Sequence, residues 1–139
     1  MVSRVAFLAL LLTAACSGSE SVVSTGPRVA SANDGCLSLT PTTPISVPAN
    51  SGPWISTFTA QATNCTATSL WTFSASRSGK VTAITKILPS TNFNLGNNGS
   101  LTLKVFFTAG TAGVGRVIGH AEVDGVPGIL TDTAIVNVQ

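Results

Sequence analysis

The sequence predicts an all-β domain, two antiparallel sheets stacked face to face, behind an N-terminal leader and a tether. Three observations carry that reading. Charged residues make up only 9% of the 139-residue chain, which is rich in Thr, Ser, Val, Ala and Gly, a polar but uncharged mixture that favours strands. From Cys36 onward apolar residues recur with period two and not 3.6. Clusters of Gly, Pro, Asn and Asp interrupt that pattern at short, regular intervals. The length suits one domain, so the expected divisions are a leader over 1–15, a linker over 16–35 and the domain over 36–139.

The strands follow in order. Residues 45–47 are bracketed by Pro44 and Pro48, which suits an edge. Residues 54–63 alternate, with Trp54, Phe58, Ala60 and Ala62 on one face and Thr57, Thr59, Gln61 and Thr63 on the other. Residues 69–75 place Trp71, Phe73 and Ala75 together, and residues 80–88 form a further run whose facing is ambiguous. Asn97-Asn98-Gly99 marks a turn. Residues 101–108 put Leu101, Leu103, Val105 and Phe107 inward, leaving Lys104 and Phe106 outward. The glycine-rich 110–115 reads as a hairpin turn. Residues 116–123 turn Val117, Gly119, Ala121 and Val123 one way, and Ile118, His120 and Glu122 the other. After a turn at Asp124-Gly125 and Pro127-Gly128, residues 130–138 bring Ala134, Val136 and Val138 inward. About seven short antiparallel strands with regular turns define an immunoglobulin-like β-sandwich. Its core gains about 1.5–3 kcal/mol from each fully buried Val, Leu or Phe.

The N-terminus is a different kind of segment. Arg4 precedes an apolar run over 5–12 and small residues up to Cys16, the layout of a secretory signal. The run is too short to span a bilayer, which takes about 20 residues. Leu12-Thr13-Ala14-Ala15-Cys16 resembles the lipobox of bacterial lipoproteins, with Thr13 in place of the commoner Leu. The resemblance implies removal of residues 1–15 and lipidation of Cys16, hence a membrane anchor in the cell envelope. Ser17 stands where an inner-membrane lipoprotein of that family carries Asp, which points to the outer membrane. Residues 17–35, rich in Ser, Gly, Val and Ala with Pro27, read as a flexible linker with an r.m.s. reach of about 24 Å.

With Cys16 lipidated, Cys36 and Cys65 remain as an even pair in an oxidising compartment, which predicts a disulfide, with two buried free thiols as the alternative. No CxxC is present, and a single histidine cannot complete a zinc set.

Leu37-Ser-Leu-Thr-Pro41, Phe58-Thr-Ala-Gln-Ala-Thr63, Leu70-Trp-Thr-Phe-Ser-Ala-Ser76 with Lys80-Val-Thr-Ala-Ile84, and Thr133-Ala-Ile-Val-Asn-Val138 resemble a bacterial immunoglobulin-like domain. Such domains occur in intimin-type adhesins and other surface proteins, so the resemblance implies a sandwich that makes contacts outside the cell. The antibody family fits poorly: there is no Tyr for a tyrosine corner, and a Cys36–Cys65 bond pins an edge and not the centre.

The chemistry of the chain is sparse. A formal net charge of +2 does not make a nucleic-acid binder. Gly110-Thr-Ala-Gly-Val-Gly115 has phosphate-loop glycine spacing, but Arg116-Val117 stands where Lys-Ser/Thr is needed. His120 with Asp124 or Asp132 could enter a serine triad, yet no Gly-x-Ser-x-Gly elbow exists, and one histidine excludes a blue-copper centre. Asp124, Asp132 and Glu122 flank one turn, which ordinary turn chemistry explains without calcium. No catalytic residue, metal site or cofactor is expected. Candidate ligand-contact residues are Trp54 at a strand end, the outward Phe106, and His120. Three functions fit: a lipid-anchored surface protein making adhesive or protein contacts, a carbohydrate-binding module with an aromatic row, and a structural subunit assembling by strand addition.

Overall fold

The computed structural model describes residues 36–65 and 68–139, and there the chain forms strands and no helix. The leader, Cys16 and the linker lie outside the described residues. The strands are β1 (Leu37–Pro41), β2 (Ile45–Val47), β3 (Trp54–Ala62), β4 (Ser69–Gly79), β5 (Val81–Leu88), β6 (Asn92–Leu95), β7 (Ser100–Ala109), β8 (Gly113–Val123) and β9 (Ile129–Val138). They build a four-stranded sheet in the order β1-β3-β7-β5 and a five-stranded sheet in the order β2-β9-β8-β4-β6. This is the immunoglobulin-like sandwich that the alternation predicts.

Two strands lie beyond the expected seven. In β1, Leu37 and Leu39 are buried and Ser38 and Thr40 exposed, a period-two pattern within the segment read only as the domain's opening. β6 carries no strand signature in the sequence, because Asn supplies two of its four residues and disfavours strands. Packing overrides that preference: Phe93 stacks on Trp71 at 5.8 Å and Leu95 is buried. β2 departs in direction. It pairs parallel to β9, Ile45 opposite Val136, and not antiparallel as expected. The reason is chain continuity. β1 runs antiparallel to β3, and the same heading carried past Pro44 meets β9 in the other layer.

Successive strands alternate between the two sheets from β1 to β8, and only β8 and β9 form a hairpin within one sheet. The segment 110–115 is therefore not the expected hairpin turn: residues 110–112 carry the chain from β7 in one layer to β8 in the other, and Gly113 to Gly115 already pair with β9. The β4–β5 corner is as tight. Gly79 adopts φ 61°, and a Cβ there would collide with the Val114 carbonyl oxygen, so only glycine fits.

The core lies between the layers, with Trp71, Phe58, Phe73, Phe107 and Leu103 its largest fully buried side chains. The Phe58 and Phe73 rings meet at 5.7 Å and 51°, a favourable tilted pair. The Trp71 indole N–H donates to Ser69 Oγ at 2.7 Å, which satisfies the one polar atom the large side chain brings inside. Cys36 and Cys65 form the expected disulfide, Cα atoms 5.7 Å apart, tying β1 to the chain just past β3. The ambiguous facing of β5 has a structural cause: the register shifts between Val81 and Ala83 and again between Ile84 and Lys86. Each irregularity breaks the simple alternation that parity relies on.

Candidate functional site

The three candidate contact residues do not converge. Trp54 opens β3 opposite Phe107 and is 36% exposed, its indole N–H donating to Ser51 Oγ at 2.9 Å. Phe106 points the other way, onto the outer face of the four-stranded sheet, between Ile55 of β3 and Lys86 of β5. The two aromatics thus leave their sheet on opposite sides and make no continuous row. His120 lies on the outer face of the other sheet, across the sandwich from Phe106.

Around His120 the cross-strand register builds a polar row. Its Nε2 is 2.9 Å from Ser76 Oγ of β4, and its Nδ1 is 3.2 Å from Thr131 Oγ1 of β9. A triad needs a carboxylate behind the ring to orient it and stabilise the imidazolium; a threonine hydroxyl holds that position here. Asp132 instead accepts the backbone N–H of Thr133 at 2.7 Å. Among the described residues no three His, Cys, Asp or Glu side chains gather as a metal set.

The site that does take shape is on the same face, at the end where β8 turns into β9. Leu70 of β4, Glu122 of β8 and Ile129 of β9 project outward there, and Asp124, Gly125 and Val126 close the rim. They enclose an open groove of about 570 Å³. Its register is fixed by backbone bonds: Thr72 lies opposite Glu122, Glu122 opposite Ile129, and the Asp124 N–H donates to the Leu70 carbonyl at 2.9 Å. Leu70 and Ile129 are 46% and 55% exposed, two large apolar side chains in water with a carboxylate between them. Apolar walls with an acidic floor suit a partner carrying a positive charge beside a hydrocarbon stem.

The chain enters the domain at this same end. The Thr63 N–H donates to the Cys36 carbonyl, and the Cys65 N–H to the Asn97 carbonyl beyond β6, next to the start of β4. Glu122 and Asp124 were visible in the sequence as turn acids. Leu70 and Ile129 carry no such signal, because an apolar residue at a strand end has no periodic signature. Only the pairing of β4, β8 and β9 brings them together.

Neither a family profile nor a curated protein sequence matches the chain. Solved structures do resemble it. Escherichia coli alpha-2-macroglobulin activated by porcine elastase is similar over 75% of this chain and 9% of its own, at 12% identity and a TM-score of 0.62. The PapD-like domain 7 of human CEP192 is similar over 100% of this chain and 96% of its own, at 11% identity and a TM-score of 0.47. The E. coli chaperone DraB is similar over 74% of this chain and 54% of its own, at 13% identity and a TM-score of 0.45. The chain spans less than a tenth of the alpha-2-macroglobulin, and that likeness is one of fold. Fold and site together define the class: an immunoglobulin-like β-sandwich with an apolar, acid-bearing groove on one outer face.

Proposed function

We propose that the chain is a non-enzymatic lipoprotein of the cell envelope, held by lipid on Cys16 and lifted off the membrane by residues 17–35, whose sandwich makes protein contacts. The observation that carries this reading is the groove, with Leu70 and Ile129 solvent-exposed beside Glu122 on a rigid sheet face. Contiguous apolar surface rimmed by polar residues is the mark of a contact site. The Cys36–Cys65 disulfide supports residence outside the cytosol, where such bonds persist. A polar-apolar groove on a sheet, with the Thr131 hydroxyl and not a carboxylate beside His120 Nδ1 among the described residues, supports binding over catalysis.

The anchor is tested by growing cells on labelled palmitate. The wild-type chain takes up label and sediments with membranes, and Cys16→Ala does neither. Equal labelling of both forms would refute the lipid at Cys16.

A further inference from the structure

The five-stranded sheet carries opposite charges at the two ends of one face, and we infer that this face pairs with the same face of a second copy, related by a two-fold axis. The inference deepens the proposed function, resting on the reading of this face as a contact surface and naming its partner. Along β8 the outward residues are Val114, Arg116, Ile118, His120 and Glu122. Glu122 and Asp124 stand at one end with the exposed Leu70 and Ile129; Arg116 stands at the other, opposite Ser78 of β4 and Ile135 of β9, with Val114 52% exposed beyond it. Each end thus combines an apolar side chain with one sign of charge.

Within one molecule the two ends cannot neutralise each other. Arg116 and Glu122 are six residues apart on one strand, about 20 Å at ~3.3 Å per residue, more than twice a Debye length at physiological salt. Between two copies laid face to face and antiparallel, Arg116 of each comes opposite Glu122 of the other. Both pairs form at once, and the assembly closes as a dimer, the commonest symmetric state. The axis then passes between Ile118 and His120. The middle of the face admits close approach, since β4 presents only Thr72, Ser74, Ser76 and Ser78 there. The area is adequate too. The three long strands β4, β8 and β9 give a face about 14 Å by 36 Å, roughly 500 Å² in projection before side-chain relief is added, near the scale of the ~800 Å² per partner of a standard interface. Tethering to one membrane raises the effective concentration of a weak pair.

The test places the photo-crosslinker p-benzoylphenylalanine at Ile118 in the full chain, in intact cells, with Thr59 on the opposite layer as control. The expected result is an adduct of twice the chain's mass from Ile118 and none from Thr59. Arg116→Glu or Glu122→Arg alone should cut its yield by more than about tenfold, since each sets like charges face to face. The two together should restore it, which a misfolded variant could not do. No adduct from Ile118, a ladder of higher multiples, or a yield indifferent to the charge reversals overturns the two-fold pair. An adduct of some other mass from Ile118 overturns self-association while leaving the protein-contact reading in place.

Discussion

Gly119 and Ser56 both face the core, and each breaks the habit of its neighbours. Gly119 sits mid-strand in β8, where a Cβ would lie 2.7 Å from the Phe58 ring and 3.0 Å from the Phe73 ring. The tilted ring pair therefore rests directly on backbone. Ser56 is fully buried in β3, and its hydroxyl has no hydrogen-bond partner among the described residues. Two substitutions in this core should move stability in opposite directions. Gly119→Ala overpacks the rings and should cost about 1–3 kcal/mol, despite alanine's better backbone entropy. Ser56→Ala removes an unpaired buried hydroxyl and should gain about 1 kcal/mol. Urea denaturation midpoints measure both signs. Facing was legible here: alternation alone sends Phe58, Trp71, Phe73 and Gly119 inward, as found. What alternation could not show is the neighbour across the layer. Parity groups Trp54 with Phe58, yet Trp54 is the first residue of its strand and reaches solvent.

At the scale of elements, legibility depended on unbroken register. β3, β7, β8 and β9 each follow a long continuous pairing, and their alternation survives into the fold. β5 carries two register shifts, so its sequence alternates about no single axis. β6 pairs only at Ser69–Thr72, and its Asn residues mask it. The turn at 110–115 was visible, but whether it stays in one sheet is a question of layer order, which local residues do not encode. Edge chemistry bears on assembly by strand addition. β1 ends at Pro41, β2 is three residues between prolines, β5 is bulged and β6 is four residues long. On β9, beyond the reach of β2, the Thr133 N–H is taken by the Asp132 carboxylate and the Ile135 N–H by Thr43 Oγ1. These are the devices by which sheets refuse new strands. The disulfide secures one of these edges. Its partners are separated by 29 residues, so Cys36→Ala with Cys65→Ala should cost about 3–4 kcal/mol in the loop-entropy view. Hydrogen exchange should speed first in β1, while β8 and β9 keep their protection.

Over the whole molecule, the interleaving of strands between layers makes nearly every pairing distant in sequence, the topology of a slow folder. It also gives the two outer faces different characters. The four-stranded face offers Ile55 and Phe106 beside Lys86 and Lys104, while the five-stranded face carries acid and base at opposite ends around a smooth row of Ser and Thr. Every one of those charges is plain in the sequence. That Arg116 and Glu122 share a face is legible from parity within β8; that Leu70 and Ile129 join Glu122 is not, because it takes the register of three strands.

The most direct test of the contact face is a photo-crosslinking scan over both outer faces of the full chain in intact cells. Adducts at Thr72, Ile118 and Thr131, with none at Thr57, Thr59 or Thr102, are the predicted result. Adducts spread evenly over both faces, or confined to the four-stranded one, would contradict it.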